Sequence, residues 1–174
     1  MWPVPRVNEL FGDKHRQRGY VSNDRLGRQR IYGRDLAMAM SVTYTTINGV
    51  IVSENRGGVQ SFYAADSLGS TAMLLDAAGN VTDTFTYWPY GEVQNHTGSS
   101  TTPFTYCGTL GYYQQESGGS LTYVRARHYR PLLARWQTAD PLWPLEESYG
   151  YGRQSPAANV DPGGASGCLT RTVN

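Results

Sequence analysis

Cysteine is nearly missing from this chain: its 174 residues include only Cys107 and Cys168. Two cysteines so far apart fit no metal-ligand spacing, and no disulfide framework can carry the fold. One bridge between them is conceivable; two unpaired thiols are the simpler expectation. Histidine is equally sparse, and His15, His96 and His128 are too scattered for a zinc site. No metal or cofactor is therefore expected. Lysine is all but absent: Lys14 is the one lysine among 15 basic residues. Codon bias toward GC explains this arginine preference more simply than an arginine-selective surface does. Net charge is only +1, so nothing steers the chain as a whole to nucleic acid or an anionic membrane. No apolar run reaches the ~20 residues that span a bilayer. The opening Met1-Trp2-Pro3-Val4-Pro5-Arg6 lacks the apolar core of a signal peptide. Neither a phosphate loop nor a G-x-S-x-G nucleophile motif is present.

What is there favours strands. The 20 glycines and 13 tyrosines, with many threonines and valines, describe a loop-rich β protein of one domain or part of one. Asn48-Gly49, between Tyr44-Thr45-Thr46-Ile47 and Val50-Ile51-Val52, is the preferred pair of a type I′ hairpin. A second hairpin is expected between 71–75 and 81–87, across Asp76-Ala77-Ala78-Gly79-Asn80. In its outgoing strand Val81, Asp83, Phe85 and Tyr87 share one face. Trp88-Pro89-Tyr90-Gly91 turns the chain, and 97–102 reads as a small-polar linker. A third hairpin is expected from Gly111-Tyr112-Tyr113 to a strand over 121–129, turning at Ser117-Gly118-Gly119-Ser120. The segment Leu36-Ala37-Met38-Ala39-Met40 is short enough for a helical turn, a strand or a loop. Residues 1–35, with eight Lys/Arg against four Asp/Glu, read as a weakly ordered basic lead-in. Within it, Asp24-Arg25-Leu26-Gly27-Arg28 has the residues of a turn between short strands.

Two stretches carry a resemblance. The first is Tyr63-Ala64-Ala65-Asp66-Ser67-Leu68-Gly69-Ser70-Thr71. The second runs through Leu121-Thr122-Tyr123-Val124-Arg125-Ala126-Arg127-His128-Tyr129, Ala134-Arg135-Trp136, Asp140-Pro141, Ser148-Tyr149-Gly150-Tyr151, Ser155-Pro156 and Asn159-Val160-Asp161-Pro162-Gly163-Gly164-Ala165. In order and near-spacing these resemble the RHS repeat-associated core domain of the YD-repeat family. The resemblance covers 62–165. It departs from the family pattern at Arg130, Ala134, Leu142-Trp143 and Ala165.

The resemblance implies an all-β fold: repeated β-hairpins forming the terminal part of a YD-repeat spiral shell, with an irregular C-terminal cap. The expected division is lead-in 1–35, core-associated domain 36–165 and short tail 166–174. It also implies an extracellular or cell-surface setting. Partners would be the remainder of a shell or other copies of the chain. The usual C-terminal toxin cargo is expected to be absent, because nine residues follow Ala165.

Family caps cut themselves, and by position the implied residues are Arg127, Asp140 and Asp161, with the scissile bond between Ala165 and Ser166. Paired carboxylates suit such work, because two held close cannot both ionise; one keeps a proton while the other acts as base. A guanidinium fixes carboxylate geometry. The implied activity is at most a single-turnover, aspartyl-type endopeptidase. Taken singly, each Asp-Pro is also a common turn-starting pair, and Arg127 a half-buried strand residue. Two further readings stand beside this one. Unpaired strand edges suit a unit that self-assembles into a filament or surface structure. Tyr112, Tyr113, Tyr123, Trp136 and Trp143 suit a carbohydrate-binding surface, although such aromatics more often pack inside.

Overall fold

The structure, a computed structural model, describes residues 19–23, 29–34, 41–115, 120–165 and 169–170. Eight strands follow one another in sequence and in space: β1 (Gly19–Asn23), β2 (Gln29–Arg34), β3 (Ser41–Ile47), β4 (Val50–Arg56), β5 (Val59–Ala65), β6 (Thr71–Leu75), β7 (Val81–Tyr87) and β8 (Val93–Thr97). Each pairs antiparallel with the next, so β1 and β8 are the edges of one sheet. Among the described residues the helical pieces are three-residue 3-10 turns, and the fold is all-β as expected. β1 and β2 fall inside the stretch expected as a lead-in. The expected turn at 24–28, the segment 36–40 and most of the 117–120 turn lie outside the described residues.

Local sequence explains the hairpins. Asn48 and Gly49 both take positive φ, 50° and 78°, as a type I′ turn requires. Between β6 and β7, the Asp76 Oδ1 accepts from the amides of Ala78 (2.8 Å) and Asn80 (2.9 Å). The same wiring recurs at Asp66, whose Oδ1 accepts from Leu68 (2.9 Å) and Ser70 (2.8 Å). Along β7, Asp83 and Phe85 are buried and Tyr87 half-buried, matching the expected alternation. Val81, at the strand's start, is the exception, 52% exposed. The chain reverses at Trp88–Gly91, where Trp88 N–H donates to the Glu92 carbonyl at 2.8 Å.

The stretch 121–129 is not the single strand expected. β9 (Tyr113–Gln114) pairs with β10 (Thr122–Val124), which stops just before Arg125. β11 (Arg127–Arg130) then runs back along β10, with Val124 opposite Arg127. Arg125 takes a φ of 45°, uncommon for a side-chain-bearing residue. Its guanidinium donates to the Leu110 carbonyl at 3.1 Å and to the Pro162 carbonyl, contacts distant in sequence that hold the turn. β12 (Arg135–Trp136) completes a second sheet in the order β12-β11-β10-β9. A short pair, β13 (Asn159–Val160) and β14 (Leu169–Thr170), closes the chain.

Residues 104–110 join the two sheets. Thr71 N–H donates to the Thr105 carbonyl (2.9 Å) and Thr71 Oγ1 to the Phe104 carbonyl (2.7 Å). Ser70 Oγ accepts from the Cys107 amide at 3.1 Å. Gly69 has to be glycine here, because a Cβ would sit 2.8 Å from the Leu110 side chain. The Gly69-Ser70-Thr71 signature is thus the seat on which the C-terminal half docks. The main core lies above it and is strongly aromatic: Tyr106, Tyr112, Tyr129, Trp136 and Tyr151 are buried with Cys107, Val124 and Val160. Tyr129 stacks on Tyr151 at 4.0 Å between centroids.

Candidate functional site

The floor of the site is the β10–β11 hairpin. Because the chain turns at Arg125-Ala126, Arg127 points into the C-terminal half rather than along an extended strand. It is 4% exposed and lies over the Trp136 ring, Cζ 4.1 Å from the centroid. Two loops converge on it. Asp140 sits at the turn after β12; its Oδ1 accepts from the Leu142 amide at 2.8 Å. Asp161 sits at the turn after β13; its Oδ1 accepts from the Gly164 amide at 2.9 Å. In both Asp-Pro pairs, therefore, one carboxylate oxygen closes its own turn.

The other oxygen of each faces Arg127. Asp140 Oδ2 lies 2.7 Å from Nη1, off the hydrogen-bonding direction, so the contact is ionic rather than a directed bond. Asp161 Oδ2 accepts from Nη2 at 3.3 Å. The Arg127 Nε donates to the carbonyl oxygen of Gly164. One guanidinium thus touches both carboxylates and the backbone just before Ala165. Asp140 and Asp161 are 7% and 4% exposed. Burial raises the Asp161 carboxyl above its ordinary range, although the Gly164 amide and Arg127 pull the other way.

The Asp161 loop is held from several sides. The Tyr112 hydroxyl donates to the Asp161 carbonyl (2.9 Å) and accepts from the Asp161 amide (3.2 Å), beside the Tyr151 hydroxyl at 3.0 Å. Ala126 N–H donates to the Gly163 carbonyl at 3.3 Å. Gly164 has a φ of 66°, and a Cβ there would lie 2.1 Å from the Val124 carbonyl oxygen. Only glycine fits under the hairpin at that point. A cleft of about 280 Å³ opens beside the cluster, lined by Arg127, Asp140 and Asp161 together with Glu146, Glu147 and Arg153.

The structure brings Arg127, Asp140 and Asp161 into one cluster. Ala165 follows directly in the loop, while Ser166, like Cys168, lies outside the described residues. Sequence reasoning missed Arg125 and Tyr112 as supports of this cluster; nothing local signals contacts made across the fold. Trp136 and Tyr112, considered as sugar-stacking residues, are 1% and 0% exposed and belong to the core. Trp143 is exposed, and Tyr113 and Tyr123 are half-buried. Cys107 offers no nucleophile, because burial pushes its thiol up to about 12. Among the described residues no His, Cys, Asp and Glu group forms a metal cage.

No family model matches the chain. Among curated proteins it is 27% identical, over 75% of its length, to the tRNA3(Ser)-specific nuclease WapA of Bacillus spizizenii, and it spans 6% of that protein. It is 31% identical, over 57% of its length, to the salivary gland surface protein 1 of Aedes aegypti, spanning 3% of it. Among solved structures, the TcdB2-TccC3 complex without its hypervariable C-terminal region matches with a TM-score of 0.64. That match has 19% identity over 91% of this chain and 8% of the other. A Tc holotoxin pore of Photorhabdus luminescens with a substituted TccC3 matches at 0.63, with 17% identity over 97% of this chain and 8% of the other. The structural likenesses show the fold alone, a hairpin-built, all-β arrangement, and the chain spans 8% or less of each protein it matches.

Proposed function

We propose that this chain is the capping module of an RHS/YD-repeat shell and that it cuts itself between Ala165 and Ser166. The observation that carries the reading is the Arg127 cluster. One buried guanidinium joins Asp140, Asp161 and the Gly164 carbonyl. A purely structural Asp-Pro turn needs only its own backbone bonds, and both aspartates already have those through Oδ1. Gathering two Oδ2 atoms on one cation costs desolvation and is the arrangement that acid–base chemistry uses.

In this mechanism solvent enters by the cleft. Asp140 takes a proton from a water whose oxygen adds to the Ala165 carbonyl carbon. Asp161 gives its proton to the Ser166 nitrogen as the C–N bond breaks. The products are a carboxyl terminus at Ala165 and an amino terminus at Ser166, and the proton Asp161 has lost is matched by the one Asp140 has gained. Arg127 holds the carboxylates in place and fixes the backbone one residue before the bond. Intact mass of the purified full chain tests the reading. A fragment ending at Ala165 is expected; the full-length mass alone after prolonged incubation overturns it.

A second reading concerns assembly. The open edge at β8 supports pairing with further shell strands or with another copy of the chain, in an extracellular or surface setting. A carbohydrate-binding role retains Trp143 as its exposed aromatic.

A further inference from the structure

We infer that Arg125 is a positioning residue that straps the Asp161 loop onto the β10–β11 turn and so sets the geometry in which Arg127 and Asp161 meet. The inference rests on the self-cleavage reading and adds to it a residue outside the cluster itself.

The first observation is backbone strain. Arg125 begins a two-residue turn with a φ of 45°, a place suited to glycine or asparagine. A non-glycine residue held there is strained, and the strain persists only where the surroundings compensate. The second observation is what the side chain does. Its guanidinium spans two carbonyls from separate parts of the chain, Leu110 before β9 and Pro162 inside the Asp161 loop. It passes against Gly111, where a Cβ would come within 3.1 Å of its Nη2. The third is what lies at the other end of the loop. Pro162 follows Asp161 directly, and the Gly163 and Gly164 carbonyls are taken by Ala126 N–H and Arg127 Nε. Residues 125, 126 and 127 thus bind the carbonyls of 162, 163 and 164 in turn. The side chain of Arg125 faces solvent and touches neither carboxylate, so its role is to locate the loop.

Loss of the strap leaves the loop held by Tyr112 and the two remaining contacts, and a misplacement on the order of 1 Å costs about 100-fold in rate. The test uses the full chain refolded from denaturant, with cleavage followed by intact mass. Hydrogen exchange over 161–165 is measured in parallel. Arg125→Ala is expected to slow cleavage about 10- to 100-fold and to quicken exchange in 161–165 but not in β3 to β7. Arg125→Lys, which keeps the charge but reaches one carbonyl, is expected to recover part of both. If the alanine variant fails to fold, Arg125→Gly decides, because glycine suits the backbone and still lacks the strap. An unchanged rate in a folded variant overturns the inference, whatever the exchange shows. Equal slowing in the lysine and alanine variants overturns it too. If the unaltered chain never cleaves, the self-cleavage reading falls; locally faster exchange in Arg125→Ala then upholds the strap, and unchanged exchange removes it.

Discussion

Arg127 and Gly164 are joined twice over. The Arg127 Nε donates to the Gly164 carbonyl, and Asp161, paired to the same guanidinium, accepts from the Gly164 amide. The glycine just before Ala165 is therefore held at both its polar atoms by members of the cluster.

Replacing either aspartate with asparagine keeps the shape and the turn-closing acceptor while removing the acid–base function. Asp140→Asn and Asp161→Asn are each expected to slow cleavage at Ala165–Ser166 by at least about 100-fold. Mass spectrometry of the termini is the check. Uncatalysed acid scission would instead cut after Asp140 or Asp161, so the position of the new terminus separates the two routes.

The pH dependence follows from Asp161. Burial raises its folded-state value above the ordinary 3.8, so the folded protein keeps this proton to higher pH than the unfolded chain does. Its contribution to stability is complete below 3.8 and is lost as pH rises through the raised value. In the proposed mechanism Asp161 is the proton donor, so the cleavage rate should fall across that same window. A rate that climbs steadily with pH above it would assign the acid role elsewhere.

Arg127→Ala strands two buried carboxylates and removes the cation from the Trp136 face. A loss of about 3–5 kcal/mol is expected, measured by urea unfolding. Gly164→Ala forces a Cβ to 2.1 Å from the Val124 carbonyl at a φ of 66°. It should cost about 1–3 kcal/mol and should also slow cleavage, although no ionisable group changes.

Away from the site, Asp83 anchors the loop after β8. Burial pushes its carboxyl up, but the Ser100 hydroxyl and amide and the His96 ring outweigh this and bring it down to about 2. That stabilisation is present above 3.8 and lost as pH falls through about 2. Asp83→Ala should cost about 1–3 kcal/mol near neutrality by leaving the Ser100 amide unpaired. Urea midpoints of variant and parent should approach each other toward about pH 2 as the carboxyl titrates.

The β8 edge should drive association. Light scattering on the purified chain is expected to show species larger than one chain, with loss on Asn95→Lys, which puts a charge on the exposed edge strand. A monomer at high concentration would remove the assembly reading.

The sequence by itself determined what is local. Asn48-Gly49 and Asp76 through Asn80 carry their own turn chemistry, so the β3–β4 and β6–β7 hairpins were legible from a handful of adjacent residues. The order of motifs from 121 to 165 also indicated which residues belong together, through the family they resemble. What only the tertiary structure decided is the break at Arg125. Nothing between 121 and 129 requires a reversal, since the positive φ is held by the Leu110 and Pro162 carbonyls. That reversal places β11 back against β10 and aims Arg127 at two aspartates from separate turns. The fates of Trp136 and Tyr112 were decided in the same way. Each aromatic suits a surface or a core equally by composition, and burial depends on what the rest of the chain lays over it, here the Tyr106, Tyr129 and Tyr151 rings.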